Sequence, residues 1–287
     1  NRMEQAAFSP DGRWLAAAGQ KRLGLWSLAT KDPGQVIEAP PMARLDFTPD
    51  GGGLFGSALG GKCLQWRIPA GGEPAVPQMQ PLPVPETKGF NSVCVVSNRV
   101  IWTGPKGSRL QSLDGVAADA PLVQTSFGLS GVSSDGQWLG IYRRFSPLLQ
   151  IYQLPAFEPL AGLTNRGNIL AFAFSPQGDE LAVSTKSGVQ LWSTKTWTRT
   201  RELADFRGIL YRSDGRALWL TKDYRTAGLF DARTLEPLLP LPAGMLPLAL
   251  SSDGRFLAVN VDSRKLQVWD VAEVRRQLRS LGLDWVD

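Results

Sequence analysis

A short polar turn recurs along the chain, and its spacing constrains the fold more than any other feature. It occurs as SPDG, TPDG, SSDG, SPQG, SDG and SSDG at residues 9–12, 48–51, 133–136, 175–178, 213–215 and 251–254. The turns are about 40 residues apart, and the one double interval has room for a further unit over residues 91–114. The last residues of apolar strands follow the same period, at Trp26, Trp66, Ser112, Tyr152, Trp192, Phe230 and Trp269. The chain therefore contains seven repeats.

Each repeat is predicted to form short β-strands. In the fifth repeat, the segments ILAFAF, ELAVST and VQLWST are separated by turns, and WTRTREL supplies a fourth segment. Alternation with a period of two predicts strands, and 30 glycines and 21 prolines fit a chain with many tight turns. Seven such units predict an all-β fold, a seven-bladed β-propeller of four-stranded antiparallel blades over residues 1–271.

The last blade is expected to differ from the others. The first repeat begins with its innermost strand, and no strand pattern follows Val271. We therefore expect blade seven to have three strands and an outer edge that is open or covered by a helix. Residues 272–287 are assigned to a C-terminal helical cap or tail.

Strand ends such as LGLW at 23–26, GLFD at 228–231 and LQVWD at 266–270, together with the SPDG-like turns, resemble the WD-repeat β-propeller family. The resemblance covers residues 1–271. The Gly-His pair of that family is absent, and Trp-Asp occurs only at Trp269-Asp270. The family's His-Asp hydrogen-bond network therefore cannot form, and we expect apolar packing to hold the blades together.

The tail, WDVAEVRRQLRSLGLDW at 269–285, resembles the end of propeller domains that follow the catalytic domain in some bacterial serine/threonine protein kinases. This resemblance implies that the chain is the C-terminal module of a longer signalling protein, with a kinase domain before Asn1. Its apolar residues Val271, Val274, Leu278 and Leu281 form one stripe of a short helix. The helix is expected to cap the last blade, and a partner-binding helix is the alternative.

The composition argues against several enzyme classes. The chain has no histidine, the commonest general base and metal ligand. Its two cysteines, Cys63 and Cys94, are expected to be small buried side chains rather than a disulfide or a nucleophile. The segment GSALGGKC at 56–63 nearly matches a phosphate-binding loop, but it ends in cysteine and joins two strands. No catalytic residue, metal or other cofactor is predicted.

Nucleic-acid and membrane binding are also disfavoured. Eight of the ten tryptophans fall at repeated strand positions and are expected in blade cores, which leaves only Trp197 and Trp285. Two aromatic residues do not form a stacking platform for single-stranded nucleic acid. The most apolar stretch, residues 238–250, is short and interrupted by proline and glycine, so this segment is not expected to insert into a bilayer. The compartment stays open: a cytoplasmic location is favoured unless a transmembrane segment precedes Asn1.

Charge is distributed unevenly among the predicted loops. The connections between the second and third strands emerge on one face of a propeller, and they contain only two acidic residues, Asp223 and Asp262. The net charge of the whole chain is +5, so the rest of the molecule is expected to be net acidic. The twelve basic residues of these connections are Lys21, Arg22, Lys62, Lys106, Arg109, Arg143, Arg144, Lys186, Lys222, Arg225, Arg264 and Lys265.

These observations favour a monomeric, non-catalytic interaction or sensor module that binds a protein or peptide. The basic face predicts a partner that is acidic or phosphorylated, while an ordinary solvated surface remains the alternative. A propeller hydrolase or lyase with polar residues around its central channel, or a purely structural scaffold, are the other function classes.

Overall fold

The computed structural model describes residues 3–30, 34–58, 63–68, 80–82, 92–96, 99–104, 107–112, 120–123, 128–143, 145–223, 225–262 and 265–284. These residues form seven antiparallel sheets and one helix. The sheets are the blades of a β-propeller, which confirms the predicted fold class. The chain divides into two compact units, Asn1–Ser130 and Gly131–Asp287, and each is described by itself.

The first unit contains blades one to three, and the strands of each blade are adjacent in chain order. Blade one consists of β1 (Met3–Phe8), β2 (Trp14–Gly19), β3 (Arg22–Ser27) and β4 (Gln35–Glu38). Blade two consists of β5 (Met42–Phe47), β6 (Gly53–Ala58), β7 (Cys63–Arg67) and β8 (Gln80–Leu82). Blade three consists of β9 (Ser92–Val96), β10 (Arg99–Gly104), β11 (Gly107–Ser112) and β12 (Ala120–Val123).

The second unit contains most of blade four, whose first strand begins just before the boundary, and blades five and six. Blade four consists of β13 (Gly128–Val132), β14 (Trp138–Arg143), β15 (Leu148–Gln153) and β16 (Glu158–Thr164). Blade five consists of β17 (Ile169–Phe174), β18 (Glu180–Thr185), β19 (Gly188–Ser193) and β20 (Arg199–Ala204). Blade six consists of β21 (Arg207–Tyr211), β22 (Ala217–Thr221), β23 (Ala227–Asp231) and β24 (Pro237–Pro240).

Blade seven has three strands in the described part of the chain, as the sequence predicted. They are β25 (Met245–Leu250), β26 (Phe256–Val261) and β27 (Lys265–Asp270), and helix α1 (Val271–Ser280) follows directly. Asp270 caps the helix, because its carboxylate accepts a hydrogen bond of 3.1 Å from the backbone N–H of Glu273. Val271 and Leu278 pack against the core between blades six and seven. The predicted apolar stripe does not extend to Leu281, because this residue is 70% exposed.

Apolar side chains fill the spaces between blades. In blades five and six the second and third strands, β18, β19, β22 and β23, are almost fully buried. Alternate residues of these strands point to opposite faces of the blade, so both faces must be apolar when each packs against a neighbour. The core between blades five and six includes Val189, Leu191, Leu203, Leu218 and Leu220.

A polar network at the recurring turns was not anticipated from the sequence. In blade seven, the Ser251 hydroxyl donates to Asp253 at 2.5 Å and accepts from the Phe256 backbone N–H at 2.8 Å. The same arrangement joins Ser9 to Asp11 and Trp14, and Thr48 to Asp50 and Gly53. The hydroxyl group thus closes the turn and orients the carboxylate. Hydrogen bonds therefore support the blades in addition to apolar packing.

Replacing Ser251 by alanine tests this network. Ser251 is buried, and its loss leaves the Phe256 N–H and the Asp253 carboxylate each without one partner. We expect the free energy of unfolding to fall by about 1–2 kcal/mol, measured by urea denaturation. The Ser280→Ala variant serves as a control, because this exposed hydroxyl bonds only within its own helix. An equal loss for both variants would contradict a special role for the turn serine.

The turn carboxylates give stability a defined pH dependence. The hydrogen bond from Ser251 is the main influence that lowers the pKa of Asp253, and Thr48 does the same for Asp50. A lowered pKa in the folded state means that stabilisation is present above the unfolded pKa of about 3.9 and is lost as the pH falls through the folded value. We expect Asp253→Asn to be less stable than the wild type at pH 6. Urea titrations should show this difference shrinking below about pH 4; a constant difference would contradict the assignment.

Candidate functional site: the basic hairpins

The polar turns and the basic residues lie at opposite ends of each blade. Strands run antiparallel, so the first-to-second-strand turn is at one end, called here the turn end. The second-to-third-strand connection is at the other, called the hairpin end. The connection from one blade to the next also returns at the hairpin end, because blades one to six, from which these connections start, each have four strands. Two kinds of loop therefore contribute to that end.

Seven of the twelve predicted basic side chains are described, and all seven are exposed. Arg22 and Lys265 are the first residues of β3 and β27, Arg143 is the last residue of β14, and the others lie in the connections. Lys62, Lys106, Arg144 and Arg264 lie outside the described residues, as does the side chain of Arg109 in β11. The seven exposed residues are Lys21, Arg22, Arg143, Lys186, Lys222, Arg225 and Lys265.

The β22–β23 connection contains one acidic residue, Asp223, whose carboxylate shapes the loop. The Asp223 carboxylate accepts hydrogen bonds from the backbone N–H groups of Arg225 at 2.7 Å and Thr226 at 2.8 Å. Both bonds lower the pKa of Asp223, and the bond from Arg225 has the larger effect. The Lys222 ammonium lies 3.8 Å from the carboxylate of Asp205 in the β20–β21 connection, and both side chains are exposed to solvent. Such an exposed pair is weak, so Lys222 can exchange this partner for another anion.

The blade-to-blade connections add charges that the sequence prediction did not include. Arg166 in the β16–β17 connection lies 3.1 Å from Glu202, and its backbone carbonyl accepts a 2.5 Å hydrogen bond from Ser187. This bond holds Arg166 beside the hairpin that carries Lys186. Arg207, the first residue of β21, is also exposed at this end, while Glu202 and Asp205 offset part of the positive charge. Because each repeat contains four strand segments, the sequence also predicts that these connections lie at the hairpin end.

An apolar surface lies next to Arg143. Phe145 is 73% exposed and has a positive φ of 64°, a conformation that is rare for a bulky residue. The loop is fixed to blade five by a hydrogen bond of 3.1 Å from the Ile169 N–H to the Ser146 carbonyl. Leu170, next to Ile169, is also exposed. The hairpin end therefore combines positive charge with an exposed aromatic ring, a composition that is enriched at protein interfaces.

Two partly buried carboxyl groups, those of Glu180 and Asp46, have the raised pKa values that a catalytic acid or base can have. Burial is the main cause that raises the pKa of Glu180, which accepts a 2.8 Å hydrogen bond from the Tyr211 hydroxyl. Burial also raises the pKa of Asp46, whose carboxylate binds the Arg44 guanidinium at 2.5 and 3.0 Å. Tyr211 links β21 to Glu180 in β18, and Arg44 pairs with Asp46 on the same strand, β5. Burial first, and the Glu180 carboxylate second, raise the pKa of Tyr211, so its hydroxyl stays protonated near neutral pH and is a poor nucleophile.

The cysteines are buried and unbridged, as predicted. Burial raises the pKa of the Cys63 thiol to about 12 and that of Cys94 to about 11. Thiols with such values stay protonated near neutral pH, so they are poor nucleophiles and poor metal ligands. Among the residues that the structure describes, no group of three or more acidic or cysteine side chains could hold a metal ion. Over the same residues, no helix has the length and apolarity needed to cross a membrane.

The comparison with known families concerns the first blade. Residues 4–27 match the family model described as WD domain, G-beta repeat. The match covers β2, β3 and most of β1. Together with the seven blades, it supports a WD-repeat β-propeller and the function that such propellers generally have, which is protein interaction without catalysis. No curated protein matches the chain.

Proposed function

We propose that this chain is a non-catalytic interaction module that binds an acidic or phosphorylated protein segment at the hairpin end of its blades. The observation that carries the proposal is the exposure of all seven described basic side chains of the predicted set. Guanidinium and ammonium groups attract carboxylates and phosphates, and in the second unit Arg143 and Arg225 can make bidentate contacts. The exposed Phe145 ring offers an apolar contact beside these charges.

The second part of the proposal concerns context. The tail resemblance supports placing the chain at the C-terminal end of a larger bacterial signalling protein that carries a serine/threonine kinase domain. In that setting, the propeller would act as a sensor or scaffold that brings a phosphorylated or acidic protein to the kinase. Sequencing the gene upstream of Asn1 tests this part, and any other domain in that position contradicts it.

Propeller catalysis is the competing function. It would require a group able to exchange protons near neutral pH and a reactive partner within hydrogen-bond reach. The partly buried carboxyl groups of Glu180 and Asp46 are hydrogen-bonded to Tyr211 and Arg44 respectively. We therefore expect no turnover of ester, peptide or glycoside substrates that survives extensive purification. An activity lost on substitution of a single Asp, Glu or Tyr would refute the non-catalytic assignment.

Salt dependence tests the binding proposal directly. We expect a fluorescent peptide with two phosphoserines and several glutamates to bind the protein at 0.1 M salt. Its affinity should fall at least about tenfold by 1 M, because the Debye length shrinks from about 10 Å to about 3 Å. Fluorescence anisotropy measures both values, and a peptide with the acidic residues replaced by serine is the control. Equal affinity of the two peptides at low salt would contradict the proposal and would indicate that the hairpin end is an ordinary solvated surface.

A further inference from the structure

The outer edge of blade seven is unpaired in the described part of the chain. The sheet order is β25–β26–β27, so no described strand lies beyond β27, whereas each of the other six sheets has a fourth strand. An unpaired strand edge exposes a row of backbone N–H and C=O groups. This edge runs along the outer side of the blade and reaches the basic hairpin end at Lys265.

The register shows which backbone groups are available. The N–H of Val271 donates to the Arg255 carbonyl at 2.7 Å, so the alternate residues Trp269 and Gln267 also direct their backbone groups toward β26. The backbone groups of Leu266 and Val268 therefore point outward. In blade five, the equivalent residues Val189 and Leu191 pair with β20 in this way.

β27 has aliphatic side chains like those of third strands that a fourth strand covers, but its side chains are more exposed. Leu191 in blade five and Leu229 in blade six are fully buried, but the equivalent Val268 is 39% exposed. Val189 is likewise buried, while the equivalent Leu266 is only half-buried. β27 thus keeps aliphatic residues at positions where the other blades bury them under a fourth strand.

The fourth strands of the other blades indicate what such a strand must contain. The residue equivalent to Leu266 faces a branched aliphatic side chain in three blades, where the pairs are Leu23–Ile37, Leu149–Leu163 and Val189–Leu203. In blade one, the next pair joins Arg22 to Glu38, and Arg22 is equivalent to Lys265. An added strand that pairs with β27 as β4 pairs with β3 in blade one would therefore place an acidic residue opposite Lys265.

We propose that the open edge of β27 is a docking site for an extended peptide that adds antiparallel to it as the fourth strand of blade seven. The peptide carries a branched aliphatic residue opposite Leu266, followed by a glutamate or aspartate opposite Lys265. Backbone hydrogen bonds to Leu266 and Val268 supply affinity, while the aliphatic and acidic residues select the sequence and register. This site shares Lys265 with the proposed acidic-partner surface, but its backbone hydrogen bonds at Leu266 and Val268 do not depend on that surface.

A peptide with the blade-one sequence GQVIEAP, residues 34–40, is a suitable probe. We expect it to slow hydrogen exchange at the Leu266 and Val268 amides of the 287-residue protein, followed by NMR. In the free protein these two amides should exchange faster than those of Gln267 and Trp269, which bond to β26. Val268→Pro removes an outward N–H but no bond to β26, and should weaken binding at least about tenfold. Gln267→Ala is the matched control and should bind normally.

A charge exchange tests the register without relying on proline. The peptide GQVIKAP should bind poorly to the wild type and should recover affinity for Lys265→Glu. Failure of GQVIEAP to protect the two amides, or recovery in neither combination, would overturn the proposal. Slow hydrogen exchange at the Leu266 and Val268 amides in the free protein would also overturn it. If that exchange slows further as the protein concentration rises, a second copy occupies the edge; if it does not, another part of the chain covers the edge.

Discussion

Changing Arg143 and Arg144 together to glutamate is expected to weaken binding of the phosphorylated acidic peptide by about 10- to 100-fold. Two positive charges become negative, so attraction is replaced by repulsion at one place on the hairpin end. The melting temperature should remain nearly unchanged, because Arg143 is exposed and exposed charges contribute little to stability. Fluorescence anisotropy and differential scanning calorimetry measure the two quantities.

The matched control makes the same change in net charge at the turn end. Lys195 and Arg233 are exposed residues in the third-to-fourth-strand turns of blades five and six. The Lys195→Glu/Arg233→Glu variant should bind the peptide nearly as well as the wild type. If both double variants lose affinity equally, overall charge rather than the hairpin end determines binding.

Replacing Trp219 by alanine is expected to have the largest effect on stability, lowering the free energy of unfolding by about 3–5 kcal/mol. Trp219 lies in β22, is 1% exposed, and packs among Leu229, Leu257 and Val259 between blades six and seven. The substitution leaves a cavity that these rigid strands cannot close.

Urea denaturation with a fluorescence readout measures this loss. Leu283→Ala is the control, because this side chain is 66% exposed and its removal should change stability by less than about 0.5 kcal/mol. A loss below 1 kcal/mol for Trp219→Ala would contradict the packing between blades six and seven.

The fold could be predicted from the sequence because its signals are repeated seven times. A turn such as SSDG at 251–254 is weak by itself, but its period fixes the blade and the position of each strand. The three-stranded last blade and helix α1 followed from the absence of a strand pattern after Val271. Burial of both cysteines also followed from their strand positions.

Side-chain networks could not be predicted in the same way. Asn165 lies between β16 and β17, where its amide accepts a hydrogen bond of 3.2 Å from the Trp192 indole and donates to the Pro147 carbonyl. Its role depends on residues 18 and 27 positions away, and no local pattern records that proximity. The role of the turn serines was missed for a different reason. The absence of histidine removes one partner for a turn carboxylate, but the hydroxyl of the turn serine supplies another.

The charged surface was predicted in part. Counting only second-to-third-strand connections identified Lys186, Lys222 and Arg225, all of which are exposed. The count omitted Arg166 and Asp205, because the blade-to-blade connections were not included. The connections between blades and the strand ends beside them add two basic residues, Arg166 and Arg207, and two acidic ones, Glu202 and Asp205, so the net positive charge of the hairpin end stays a prediction.

Lysine acetylation footprinting tests the central claim, binding of an acidic partner at the hairpin end, most directly. The protein is treated with an amine-reactive acetyl reagent with and without saturating phosphorylated acidic peptide, and each lysine is quantified by mass spectrometry. We predict that the peptide slows acetylation of Lys186 and Lys222 at the hairpin end and leaves Lys195 at the turn end unaffected. Equal rates with and without bound peptide at Lys186 and Lys222, or selective protection of Lys195, would contradict the claim.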